Sequence, residues 1–158
     1  MRAQPTVVIV GRDAAVAEWV RERVRFVEHW GPCRAIGIAR GAELIAGVVY
    51  NNHRGPTIEA SIASTEPSWC SRRNLAAIFA YPFRQLDCTR LGACTEANDA
   101  PVRAFLSRLG FREEGLLKSA LPERLDAVIY GMTPEECRWL RNTEQHVQGG
   151  ERWGNSGG

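Results

Sequence analysis

Asn98-Asp99-Ala100-Pro101-Val102-Arg103-Ala104-Phe105-Leu106-Ser107-Arg108-Leu109-Gly110-Phe111-Arg112-Glu113-Glu114-Gly115 is the stretch whose reading decides the fold. Val102, Phe105, Leu106 and Leu109 recur at helical spacing, so residues 99–109 predict an amphipathic helix. Asn98 stands where a side chain can accept the free amide hydrogens of a first turn. Gly110 falls where a C-cap takes a left-handed backbone at no Cβ cost. A short strand at 89–94 precedes the helix, and a strand near 112–120 follows it.

The flanks extend the pattern on both sides. Residues 126–132 predict a last strand after Leu121-Pro122-Glu123-Arg124-Leu125. Thr133-Pro134-Glu135-Glu136 then opens a short helix, as a Thr-x-x-Glu capping box with proline at the first helical position. Upstream, residues 71–86 predict a helix with Ser71 as N-cap and a kink at Pro82. Residues 34–39 and 44–50 predict a hairpin around Gly41, and Asn51 to Pro56 read as a polar turn. In the strand at 57–64, Ile58, Ala60 and Ile62 take one face, and Glu59, Ser61 and Ala63 the other. Residues 6–10 predict the first strand. The helix after it has Asp13 as N-cap and an apolar face of Val16, Val20 and Val24. The order is strand, helix, three strands, helix, strand, helix, two strands, helix: a mixed α/β fold with a strand-helix-strand crossover.

Composition bounds the function. The 158 residues carry a net charge of only +2, which argues against a dedicated nucleic-acid binder. No run approaches the ~18 apolar residues of a membrane span, and the start does not read as a signal peptide. The five cysteines lack metal or disulfide spacing, so they read as small buried residues of a reducing, cytoplasmic protein with no metal. Residues 1–144 are assigned to one folded domain and 145–158 to a disordered, Gly-rich tail.

The Asn98–Gly115 stretch resembles a hallmark of the GNAT acyl-CoA N-acyltransferase superfamily: an Asn after a central strand, an amphipathic helix, Leu-Gly-Phe, then a charged strand with Gly. Asp126-Ala127-Val128-Ile129-Tyr130-Gly131-Met132 is similar to the last strand of its ribosomal-protein-type branch, and the chain also resembles small phage-encoded GNAT-like proteins. The resemblance spans about residues 6–140. It implies a mixed, mostly antiparallel sheet flanked by helices, splayed at its centre to take acetyl-CoA as co-substrate. The matching pantetheine positions are Ile62, Ala63 and Ser64, with Asn98 as a further contact. Those for the pyrophosphate are Ser71, Arg72, Arg73 and Asn74 at a helix start, where free amides and the helix dipole favour an anion.

Two departures leave two readings. The family's phosphate loop is glycine-rich, whereas Glu66-Pro67-Ser68-Trp69-Cys70-Ser71-Arg72-Arg73 has no glycine. Leu106 stands where many members carry a tyrosine that protonates the leaving thiolate. One reading is an N-acetyltransferase acting on a primary amine of a protein N-terminus, a lysine or a small molecule, with Glu59 as base through water. The other is a non-catalytic GNAT-like binding or assembly protein. His53 reads as a turn histidine. Trp19, Phe26 and Trp30 are read as core or dimer contacts more readily than as an acceptor site. Oligomeric state is left open, a homodimer included.

Overall fold

In the computed structural model, which describes residues 4–140, the chain runs β1 (Thr6–Ile9), α1 (Asp13–Arg21), β2 (Cys33–Arg40), β3 (Glu43–Arg54), β4 (Thr57–Ser64), α2 (Arg72–Ala80), β5 (Arg90–Glu96), α3 (Ala100–Leu109), β6 (Arg112–Leu117) and β7 (Ala127–Met132). The tail expected at 145–158, and the close of the expected 1–144 domain, lie outside the described residues. One sheet forms in the order β1-β2-β3-β4-β5-β7-β6. Every neighbouring pair is antiparallel except β4 with β5.

Alternation along the strands gives the sheet two apolar faces. On one, Val48, Tyr50, Ile58 and Leu91 pack with Leu75, Ile78 and Phe79 of α2 and with Leu106 and Leu109 of α3. On the other, Val16, Ala17 and Val20 of α1 pack on Ala35, Val49 and Ala63. Fully burying each of those valines contributes roughly 1.5–3 kcal/mol. Gly47 lets α1 approach: a Cβ there would stand 2.6 Å from Cγ2 of Val20. At the far end, Gly110 takes φ +110° and closes α3, and the Phe111 N–H reaches back to the Leu106 carbonyl at 3.1 Å.

Several expectations are corrected. Asp13 does not cap α1; Arg12 holds that position without a side-chain cap. The Asp13 carboxylate instead accepts the Ala35 N–H at 2.8 Å and pairs with Arg34. The reason is register: β1 ends at Ile9, opposite Gly37, so Ala35 lies beyond its reach and Asp13 supplies the missing acceptor. α1 stops at Arg21, so Val24 lies outside the helix. Val102 is 38% exposed, leaving α3 to bury Leu106 and Leu109. The cap of α3 is Asp99, which accepts the Val102 N–H at 3.2 Å. The supposed turn at 51–56 is shorter, because β3 continues to Arg54 through a bulge. Thr133-Pro134-Glu135-Glu136 forms a single 3-10 turn over Pro134–Glu136, with the Thr133 N–H donating to the Glu136 carboxylate. Cys88 and Cys137 are buried, but Cys94 is exposed.

Pro82 does break α2, which passes into a π-helical segment over Tyr81–Gln85. Proline has no N–H to return to the carbonyl of Ile78, four residues back. The buried Tyr50 hydroxyl donates to that carbonyl instead, at 2.6 Å. Tyr50→Phe is expected to lower stability by about 1–3 kcal/mol, because a buried acceptor loses its partner. Urea denaturation checks this; an unchanged midpoint would show the bond to be dispensable.

Candidate functional site

Parallel pairing of β4 and β5 covers only Thr57 with Arg90, Ile58 with Leu91 and Glu59 with Gly92. Beyond these pairs β4 keeps β3 as its neighbour, and β5 keeps β7. The two strands part, so backbone groups of residues 60–64 that point toward β5 have no ladder partner there. Polar backbone groups left in this way call for water or a ligand.

Two connected clefts lie at the fork. One, of about 220 Å³, is lined within the opening by Glu59, Ala60, Ser61, Ala93, Cys94 and Tyr130, among others. The second, of about 370 Å³, lies over the paired part and is lined by Asn52, Arg54, Thr57 and Ile58. Glu59, Arg90 and Gly92 line both. Glu59 thus stands at the junction. The bulge that interrupts β3 between Asn51 and Arg54 puts Asn52 in a left-handed conformation, φ +53°. From there the Asn52 amide donates to Glu59 Oε2 at 2.7 Å, and Glu59 Oε1 carries no hydrogen bond among the described residues. Partial desolvation within the cleft, and after it the Glu59 carboxylate, push the Cys94 thiol above its ordinary value.

The walls of the opening are tied from both sides. On the α1 face, Arg25 reaches the Glu96 carboxylate at the end of β5, at 3.0 Å. On the α3 side, Arg103 donates to the Ala97 carbonyl at 2.8 Å, to the Tyr130 hydroxyl at 3.2 Å and to the Glu113 carboxylate at 2.9 Å. Sequence reasoning missed Arg103, Asn52, Arg54 and Arg90. The first belongs to no motif and has one other arginine, Arg108, in its helix, and the others are brought together only by register.

The expected ligand positions distribute as follows. Ile62 is half-buried, Ala63 is buried under α1, and Ser64 is exposed at the end of β4. Ser71 caps α2 by accepting the Asn74 N–H at 3.1 Å. Arg72 and Arg73 are exposed in the first turn of α2, and neither has an ion-pair partner among the described residues. Asn74 is 1% exposed, and its side-chain amide is taken by the Thr6 hydroxyl and the Trp69 carbonyl, both at 2.9 Å. Its side chain therefore ties α2 to β1 rather than facing outward. Asn98 is exposed in the turn after β5. His53 is exposed and bonds the Gly55 carbonyl. Trp30 is half-buried and donates to the Ala17 carbonyl, while Phe26 is 37% exposed beside Arg25.

The glycine-free loop has a physical account. None of residues 65–71 takes a positive φ, so glycine is not required there. The loop is held by side chains instead. Pro67–Trp69 forms a 3-10 turn, and the Trp69 ring is fully buried, with its centroid 5.9 Å from that of Phe105. Arg40 donates to Glu66 and to Ser68. The Ser68 hydroxyl, and then Arg40, hold the Glu66 carboxyl below the usual carboxylate range.

This splayed seven-stranded sheet between helices is the fold of GNAT acetyltransferases. Among solved structures, the ribosomal-protein-S5-alanine acetyltransferase from Vibrio fischeri is similar at 13% identity and TM-score 0.65, over 87% of this chain and 98% of that one. An F149G mutant of the spermidine N-acetyltransferase SpeG from Vibrio cholerae matches at 12% identity and TM-score 0.69, over 87% and 98%. A protein described as a GNAT-family acetyltransferase from Desulfovibrio desulfuricans matches at 20% identity and TM-score 0.64, over 82% and 99%. A further structure, described as a probable acetyltransferase, is covered over only 63% of its own length. At the level of sequence, no family model and no curated protein matches. Among the described residues no helix is long and apolar enough to cross a membrane, and no cluster of three or more potential metal ligands occurs.

Proposed function

We propose that the protein is an N-acetyltransferase that moves an acetyl group from acetyl-CoA to a primary amine. One observation carries this reading: β4 and β5 part directly after Glu59, leaving an unpaired strand edge beside a carboxylate. In that gap the pantetheine arm pairs with the backbone of Ile62, Ala63 and Ser64, with Asn98 across the opening. The free amides at the start of α2, together with Arg72 and Arg73, hold the pyrophosphate.

The reacting amine must be neutral, because an ammonium has no lone pair. Glu59, fixed by Asn52, takes the amine's proton through a water. The nitrogen forms a bond to the thioester carbon, and an unpaired β4 amide stabilises the oxygen as it gains charge. The carbon–sulfur bond then breaks, the nitrogen's second proton passes to the leaving thiolate, and the first leaves Glu59 for solvent, giving an amide and free CoA thiol. Neighbours named for such transfer act on unlike amines, a protein's alanine and spermidine. For this chain the acceptor is accordingly drawn from a protein N-terminus, a lysine or a small amine.

The second reading is a GNAT-like binding or assembly protein. It is favoured by Leu106, which is buried and supplies no proton, and by the side-chain-locked loop at Pro67–Trp69. Calorimetry with acetyl-CoA tests the co-substrate site. Saturable binding is expected, with a rise in Tm equivalent to about 2.7 kcal/mol at a hundredfold excess over Kd. The double change Arg72→Ala with Arg73→Ala is expected to weaken binding about tenfold. Unchanged affinity would remove both arginines from the phosphate site, and no binding at millimolar acetyl-CoA would overturn the proposal.

A further inference from the structure

The cleft over the paired part of β4 and β5 has a charge pattern of its own. Register puts Arg54, Thr57 and Arg90 on one rung across three strands, because Arg54 faces Thr57 and Thr57 faces Arg90. Asn51, Glu59 and Gly92 form another rung, two residues further along β4. Side chains two residues apart on a strand share a face and stand about 7 Å apart. Arg54, Thr57, Glu59 and Arg90 accordingly line one cleft, of about 370 Å³. The Arg54 guanidinium has no hydrogen bond or ion pair among the described residues. Arg90 is half-exposed and shares its charge with Glu114 at 2.9 Å. The Arg90 guanidinium leans over Gly92 on the Glu59 rung, where a Cβ would stand 3.8 Å from Arg90 Nη2 and 3.6 Å from Glu59 Cγ, so the unpaired cation on the next rung is Arg54.

We propose that this cleft is the acceptor subsite, and that its acceptor is an amine carrying an anionic group, held by Arg54 while the amine lies at Glu59. The proposal rests on the acetyl-transfer reading above. Arg54 is the anchor, since its charge is uncompensated, and the planar fork of a guanidinium matches a carboxylate or a phosphate. A polyamine is disfavoured for the same reason: its second ammonium would meet Arg54 with like charge.

The probes are 6-aminohexanoate, 6-aminohexyl phosphate, hexylamine and 1,6-diaminohexane, which share a chain and differ at the far end. Each is titrated calorimetrically into the protein, and each is assayed for acetyl transfer with acetyl-CoA. At least one of the two anionic amines is expected to bind and react on the order of 10–100-fold better than hexylamine, and 1,6-diaminohexane no better than hexylamine. Which anionic probe wins separates a carboxylate from a phosphate. Arg54→Ala is expected to erase the preference while leaving acetyl-CoA binding intact. Equal or better use of the diamine, or a preference that survives in Arg54→Ala, would overturn the proposal. The calorimetric arm keeps it apart from the transfer reading. Binding of an anionic amine at Arg54 without any transfer would sink the acetyltransferase and keep the subsite. Transfer to amines without regard to their charge would do the reverse.

Discussion

Glu59→Gln is expected to lower kcat about 10²–10⁴-fold at neutral pH, the usual span for loss of a positioned base. The side chain is exposed and meets only the Asn52 amide, which a glutamine oxygen can still accept, so stability should not move. Acetyl-CoA affinity should also hold, because the expected contacts of the co-substrate lie on other residues. The pH profile adds a sign. Glu59 is needed to remove a proton from an amine that is mostly ammonium at neutral pH. As pH rises toward the amine's own pKa, about 10 for a lysine-like amine, the neutral form accumulates unaided. The deficit of the variant should therefore shrink with rising pH. Steady-state rates from pH 6 to about 10 read this out. Full turnover in Glu59→Gln at neutral pH would remove Glu59 as the base.

Trp69→Ala is expected to cost about 3–5 kcal/mol, the range for deleting a large buried aromatic. That is a large share of the roughly 5–15 kcal/mol that holds a typical domain. Trp69 is 1% exposed, its ring packs on Phe105 of α3, and its carbonyl accepts from Asn74 of α2. The ring thereby fixes the loop to α3, while the bond to Asn74 is made by the backbone and persists in the variant. Acetyl-CoA affinity should fall as well, since this loop sets where Ser71, Arg72 and Arg73 stand. Urea denaturation and calorimetry read the two effects separately. A loss under ~1 kcal/mol, the size of an ordinary substitution, would mean that Arg40, Glu66 and Ser68 hold the loop without the ring.

What was legible in the sequence was what is periodic or punctuated locally. The helix before Gly110, the hairpin at Gly41 and the break at Pro82 all stand at the expected places. Asp13 was misread because an aspartate before an apolar helix face looks like a cap. What decided its partner was that β1 is too short to reach Ala35. Asn52, Arg54 and Arg90 were not legible as site residues for the same kind of reason. Arg54 and Arg90 are 36 residues apart, and only the bulge in β3 together with the short parallel pairing puts them on one rung. The missing glycines were legible, but their consequence was not. The loop uses no left-handed residue, and a buried tryptophan does the anchoring.

The central claim is that the fork after Glu59 passes an acetyl group from acetyl-CoA to an amine. The most direct measurement is release of CoA thiol from acetyl-CoA across a panel of amines, with the acetylated product identified by mass spectrometry. The account predicts thiol release that depends on the amine, matches acetylated product mole for mole, and falls in Glu59→Gln. Binding of acetyl-CoA with no amine-dependent release from any member of the panel would contradict it and leave a GNAT-like binding protein.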